Sequence, residues 1–381
     1  DFSAEGINLV DNPNFTDTGS ELITNGDFAT DTDWVKEGLW EISGGSANRV
    51  AEGVNSRFYQ VGVVEALKSY KLTFTISAIS AGAINQVTLG GVGISGTWNT
   101  AETFTLYFTT VNTASCSITG DATFAGSIDN VSVKELGADW TLGTGWSIGD
   151  SKAISTLQSG SKYLTQSSVV ESGKSYKVSF EVIDYTSGSV KATVSGDEGE
   201  ARTGIGTYTE ILNATGTSFS IKNQSGLFIG SVSNISVQEL GEGWAVQDGW
   251  SIGEDKAICD GSTNNAISQA LSLPVGNIKV TFKVEDFTSG DLNLWLNLPT
   301  FTNPLQADAN GDYEVYVTTT SGANNLYFYS VAFIGSVTNI TVQELDPNGY
   351  WTIGTGWSIG TDKAISTVTG SNSDITQSIL T

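Results

Sequence analysis

The chain has 381 residues with a formal net charge of -24, no histidine and two cysteines. That charge opposes a nucleic-acid phosphate track, and without imidazole there is neither a His-dependent triad nor a zinc site. No apolar run reaches the roughly twenty residues of a membrane span, while abundant glycine, scarce proline and strand-forming residues between the turns define an all-β chain.

The chain opens at Asp1 without an initiator Met or a signal peptide, as expected of a processed or partial polypeptide. Residues 1–20 form an N-terminal segment in which "NLVDNPNFTDTG" from Asn8 reads as a degenerate copy of the next stretch, "ELITNGDF" from Glu21. From there three landmarks recur in fixed order. The first is a tryptophan pair with an isoleucine two residues on: Trp34, Trp40 and Ile42; Trp140, Trp146 and Ile148; Trp244, Trp250 and Ile252; Trp351, Trp357 and Ile359. The second is "KSYKLTFTI" from Lys68, matched by "KSYKVSFEV" from Lys174 and "GNIKVTFKV" from Gly276. The third is "GSIDNVSVKEL" ending at Leu136, matched by the stretches ending at Leu240 and Leu345. A period of about 105 residues is a whole small domain that buries its own core, unlike a solenoid repeat. The units are 21–136, 137–240 and 241–345, followed by a partial fourth at 346–381.

Within each unit the second landmark alternates with period two. Leu72, Phe74 and Ile76, then Val178, Phe180 and Val182, then Val280, Phe282 and Val284 face one way, as in a strand with one wet face. The third landmark slips: Ile128, Val131 and Val133 keep a common inward face only if a one-residue β-bulge sits at Asp129–Asn130, and likewise at Ser233–Asn234 and Thr338–Asn339. Turn signals at Thr186, Thr288 and Ala309 separate the strands. The predicted class is an elongated array of tandem antiparallel β-sandwich domains, jelly rolls first and immunoglobulin-like sandwiches second.

The opening "ELITNGDFATDTDW" and closing "GSIDNVSVKEL" of the first unit resemble those of jelly-roll carbohydrate-binding modules, and tandem units of this kind resemble domains of tailed-bacteriophage fibre and appendage proteins. The resemblance covers about residues 21 to 136 well and the later units in part, since these lack "NGDF" and carry Ser233 and Thr338 in place of Asp129. It implies a structural calcium ion near the opening and closing strands, where Asp27 and Asp129 match the family's places; the alternative is that the two carboxylates support a turn and a bulge.

The paired tryptophans recur with their isoleucine as a domain core does, which assigns them to packing rather than to a sugar platform. Trp295 has no counterpart in the earlier units. In "DLNLWLNLP" the leucines Leu292, Leu294, Leu296 and Leu298 take one face and leave Asn293, Trp295 and Asn297 on the other; in "LYFYS" Tyr327 and Tyr329 point outward. An aromatic plane between amides suits either a glycan or a subunit contact. Sequons at Asn14, Asn130, Asn213, Asn223, Asn234 and Asn339 follow turn and bulge geometry. Lys152, Lys256 and Lys363 mark hairpin tips. Cys116 and Cys259 fall at non-equivalent places and read as isolated thiols. The recurring Glu135, Glu239 and Glu344 have no recurring carboxylate partner for glycoside hydrolysis, so the chain reads as non-enzymatic with no required cofactor.

The fourth unit supplies only its tryptophan strand and the following hairpin before Thr381. Either the polypeptide continues, or incomplete sandwiches complete one another between subunits by strand addition. The sequence thus points to a structural and adhesive array of a virion fibre or extracellular appendage, a homo-oligomer or filament, with surface glycan as a partner and neither nucleic acid nor membrane insertion. A secreted carbohydrate-binding array is the alternative.

Overall fold

The computed structural model describes residues 2, 4–253, 255–271, 276–298, 300–319, 325–345, 351–360, 363–367 and 373–377. It is an all-β array of antiparallel sandwiches.

In unit two, one sheet runs Trp146–Gly149, Lys152–Ser155, Ile229–Glu239, Ser175–Ser187, Gly206–Asn213. The facing sheet runs Thr141–Leu142, Lys162–Gln166, Phe219–Asn223, Val190–Val194, Asp197–Glu198. Successive strands cross between the sheets in jelly-roll fashion, and unit one repeats the order with Thr18–Glu21 added beside Ala125–Leu136. The alternating side chains close the core: Val178, Phe180 and Val182 are fully buried between the sheets, as are Leu72, Phe74 and Ile76 in unit one.

Each closing strand carries the extra residue that its sequence demands. Asp129 pairs with Thr75 and Ser132 with Thr73; Ser233 pairs with Glu181 and Ser236 with Ser179; Thr338 pairs with Lys283 and Thr341 with Thr281. Asn130, Asn234 and Asn339 take left-handed φ values of 50°, 51° and 52°, a conformation that Asn tolerates better than most residues. The bulge turns Ile128, Val131 and Val133, and Val232, Ile235 and Val237, into the cores. The hairpin before Lys152 is equally local: Asp150 and Ser151 both have positive φ, the requirement of a two-residue type I′ turn.

Unit three departs from this plan. Gly276–Leu298 and Asn325–Leu345 run through what are separate strands in the earlier units, joining both layers into one bent, eight-stranded sheet. The bend falls at Asp286, Gly290 and Ala332, all with positive φ, beside register shifts after Glu285 and Ser289. Strands that switch layers through bulges make such corners.

The N-terminal segment does not form a body of its own. Val10 and Phe15 belong to the core of unit two, and Phe2 to the core of unit three. Phe28, Phe15 and Phe2 are 1%, 1% and 3% exposed and contact Trp34, Trp140 and Trp244, with ring centroids 5.5, 5.3 and 4.8 Å apart. The two fully described opening segments are superposable in their bonding. Phe28 N–H donates to the Asn25 carbonyl and Phe15 N–H to the Asn12 carbonyl, with positive φ at all four residues. The Trp34 and Trp140 indoles donate to those same carbonyls at 3.0 and 3.4 Å.

Candidate functional site

Successive units meet through one repeated joint. The Ser69 hydroxyl of unit one accepts the backbone N–H of Ile148 at 2.9 Å, and the Ser175 hydroxyl of unit two accepts that of Ile252 at 2.8 Å. Both serines are buried. The chain enters each joint through Gly137 or Gly241, with φ of +62° and +63°, and the following turn is closed by Trp140 N–H to the Gly137 carbonyl and Trp244 N–H to the Gly241 carbonyl. A Cβ at either glycine would stand 2.1 or 2.5 Å from the Cδ1 of Ile148 or Ile252. The isoleucine that follows each second tryptophan thus serves both a core and a joint. Trp357–Gly360 of the fourth unit packs against Gly276–Leu298 and Gly311–Thr319 of unit three, the elements corresponding to the earlier joints.

Beside each joint lies a repeated charge cluster. Lys68 bridges Glu65 and Glu135, and Lys174 bridges Glu171 and Glu239. Hydrogen bonds to Glu65 and Glu135 hold the Lys68 ammonium well above its usual range. The expectation that Glu135 and Glu239 lack a recurring carboxylate partner is corrected: Glu65 and Glu171 recur beside them, each pair sharing one lysine in a structural cluster. Tyr70 and Tyr176 close it, each accepting a backbone N–H, from Glu65 and Glu171; burial raises both phenols.

The aromatic face of unit three is built on the long strands. Leu292, Leu294 and Leu296 are fully buried, so the intervening residues take the opposite face of the sheet. Asn293 stands across from Tyr329 and Trp295 from Tyr327. Trp295 and Tyr329 stack at 4.7 Å between centroids with 13° between planes. The Tyr329 hydroxyl donates to Asn264 at 2.7 Å, and Asn325 donates to the Tyr327 hydroxyl at 2.8 Å. Trp295, Tyr327 and Tyr329 are half-buried. One expectation is corrected: Asn293 is not on a solvated face but 8% exposed, because Asn303 of the adjoining strand lies over it with the two amides 3.0 Å apart. The Asn297 side chain lies outside the described residues. The face that remains is an aromatic pair with Tyr327 beside it, its ring edges fixed by amide hydrogen bonds.

Asp27 and Asp129 occupy turn and bulge. Asp27 accepts the Ala29 N–H at 3.3 Å and Asp129 the Asn130 N–H at 2.6 Å, while Val131 N–H donates to the Gly26 carbonyl and draws the two loops together. Among the described residues no group of three or more Asp, Glu, Cys or His side chains is arranged to hold a metal ion. A calcium ion at this place would draw most of its six to eight oxygens from backbone carbonyls. Both cysteines are free and buried, and burial pushes the Cys116 thiol up to about 12. The joint serines were not singled out from the sequence, although "KSYK" repeats at both. Nor were the glutamines Gln60 and Gln166, which close two of the strands and bond the opening segments; their recurrence at Gln269 and Gln377 was the available signal.

No protein-family model matches the chain, and no curated protein matches it. Among solved structures the chain is similar to the N-terminal tandem of CBM22 domains from Paenibacillus barcinonensis Xyn10C, at 11% identity and a TM-score of 0.26, over 59% of this chain and 99% of that one. It is also similar to chains of Sulfolobus turreted icosahedral virus, at 11% identity and a TM-score of 0.20, over 81% of this chain and 91% of that one, and of a triple-jelly-roll turret assembly of an archaeal virus, with the same identity, TM-score and coverage of this chain, and 88% of that one. Among the described residues no helix is long and apolar enough to cross a membrane.

Proposed function

We propose that the chain is a non-enzymatic structural and adhesive array, a run of coupled β-sandwiches within a virion fibre or a comparable extracellular appendage. The observation that carries this reading is the joint. Ser69 to Ile148 and Ser175 to Ile252 pass the same buried hydrogen bond from unit to unit, so each sandwich is set on its neighbour by the same contact. Serial placement of this kind serves spacing and load. Its test is the molar mass of the purified chain by light scattering after size exclusion: a defined oligomer or a growing polymer is the expected result, and a stable monomer across concentration would count against assembly through this region.

A second reading, a secreted carbohydrate-binding array, is favoured by the stacked Trp295–Tyr329 pair, since aromatic faces pack on the apolar faces of sugar rings. On that reading glycan binding on an array is lost in Trp295→Ala and kept in Trp351→Ala. Binding that survives Trp295→Ala would remove unit three's face from the account.

A further inference from the structure

Phe2, Phe15 and Phe28 are spaced by 13 residues (15 − 2 = 28 − 15 = 13), yet they fill units three, two and one, in the reverse of chain order. The segments of Phe28 and Phe15 run antiparallel along the closing strands of units one and two. Thr18 pairs with Leu136 and Leu22 N–H donates to the Val133 carbonyl; Glu5 pairs with Leu240 and Leu9 N–H donates to the Val237 carbonyl. Further along, Val131 N–H donates to Gly26 and Ile235 N–H to Pro13. A glutamine then grips the segment at both backbone groups of one residue: Gln60 on Thr24 at 3.0 and 2.9 Å, Gln166 on Asp11 at 3.1 and 2.7 Å.

Unit three has the same groove, and Phe2 fills one end of it. Gln269 stands directly across from Trp244, where continuing the pairs Val35 with Tyr59 and Thr141 with Thr165 puts Gln60 across from Trp34 and Gln166 across from Trp140. Three observations show what the rest of the groove is shaped for. The Trp244 indole N–H is buried and unpartnered, whereas Trp34 and Trp140 donate to the carbonyl three residues before their phenylalanine. The Gln269 amide makes no hydrogen bond among the described residues. Ile340 and Val342 are only partly buried, whereas Val131, Val133, Ile235 and Val237 are covered. An unpaired indole alone would decide nothing, since Trp40 and Trp146 also have one; here it coincides with a glutamine amide and a strand edge that have no partner among the described residues.

We propose that this groove is the seat of a segment leading into Asp1, of the pattern apolar–apolar–Asp or Thr–Asn–x–x–Phe ending at Phe2, with the backbone course of the segments that end at Phe15 and Phe28. The backbone of the segment would hydrogen-bond the edge at Ile340 and Val342, as the earlier segments bond Val131 and Val133, and Ile235 and Val237. Its residue four before Phe2 would be held by Gln269, and the carbonyl three before Phe2 would take the Trp244 indole. This is addition of a chain segment to an open strand edge in cis, with the glutamine, the indole and the phenylalanine setting register.

The test places the six residues Asn-Leu-Val-Asp-Asn-Pro, a copy of those at 8–13, directly ahead of Asp1 in the full chain. Cys259, buried in the core of unit three, reports opening of that unit through its rate of thiol labelling, and Cys116 of unit one is the internal control. The expected result is that the extension slows Cys259 labelling about tenfold or more and leaves Cys116 unchanged, with no change in molar mass. A scrambled extension should have no effect, and the gain should shrink in the Gln269→Ala background, measured as a double-mutant cycle. Equal labelling with and without the extension, an equal gain from the scrambled sequence, or an increase in molar mass showing exchange between chains would overturn the assignment.

Discussion

Units one and two contain the same opening geometry reached by two routes. In unit one Phe28 lies six residues before its tryptophan; in unit two Phe15 meets Trp140 across the whole of unit one. For a free chain the longer closure would cost about 3 kcal/mol more, from the logarithmic dependence of loop entropy on length. The bonds are nevertheless the same, down to the glutamine and the indole. The groove therefore specifies the segment, and chain connectivity does not. What matters for a sandwich of this kind is a closing strand with an open edge, a buried tryptophan and a glutamine facing it.

The largest test of that equivalence is truncation of the phenylalanine. Phe15→Ala should destabilise unit two by about 3–5 kcal/mol, the cost of removing a buried aromatic ring, and Phe28→Ala should do the same to unit one. Hydrogen exchange on Ser175–Ser187 and Ser69–Ala81 separates the two units. A loss below about 1 kcal/mol at Phe15 alone would show a frayed tail rather than a core element.

Next in size is the joint. Ser175→Ala leaves the buried Ile252 N–H without its acceptor, a cost of about 1–3 kcal/mol, and Ser69→Ala does the same at Ile148. The loss should appear as faster exchange at Ile252 or Ile148 and as broader inter-unit distances in small-angle scattering. Unchanged exchange at both would reduce the joint to a contact without a structural role.

Smaller again is the glutamine grip. Gln166→Ala and Gln60→Ala each delete two hydrogen bonds to one residue of the segment, and about 1–2 kcal/mol is expected from each. If the groove alone sets the bonding, the two losses agree. If the long connection matters, Gln166→Ala costs more, because the segment of unit two then leaves its groove altogether.

Much of this was legible in the sequence, for reasons that differ by element. The bulges could be read because Ile128, Val131 and Val133 break a period of two, and the tryptophan core because it recurs with its isoleucine. The N-terminal copy was recognisable as an opening motif from Asn12 and Phe15, but its seat was not. Similarity between segments identifies their kind and not their acceptor, and the acceptor here is more than a hundred residues away. Asn293 was misplaced because alternation assigns a face but does not show what covers it; the covering residue, Asn303, arrives on the neighbouring strand only because the long strand of unit three continues past the bend. The joint serines are invisible to periodicity, since their hydroxyls act across a domain boundary.

The finest contrast lies at one position that the units fill with different chemistry. Arg49 in unit one and Ser155 in unit two are equivalent, each paired with a glycine of the closing strand, Gly126 and Gly230. Arg49 donates to the carbonyls of Asp121, Phe124 and Val54 and is neutralised by Glu52 at 2.8 Å; Ser155 donates to the Phe228 carbonyl and accepts from Asn223. The Ser56 hydroxyl and then Arg49 hold the Glu52 carboxyl below the usual range against the opposing effect of burial. A carboxyl depressed on folding adds stability that is complete above its unfolded value, about 4.3, and is lost as pH falls through the folded one. Unit one should therefore weaken as pH drops from about 5 toward 3, while the neutral corner of unit two does not titrate. Asp184 of unit two is also depressed, by Ser231 and Lys152, but its side chain is 59% exposed and solvent screening leaves it little weight. Labelling of Cys116 with dithiodipyridine, which reacts in acid, should accelerate over that range in the native chain and less so in Glu52→Gln. A native profile as flat as that of Glu52→Gln would mean that Arg49 is held by its three carbonyls and that the charge of Glu52 contributes nothing.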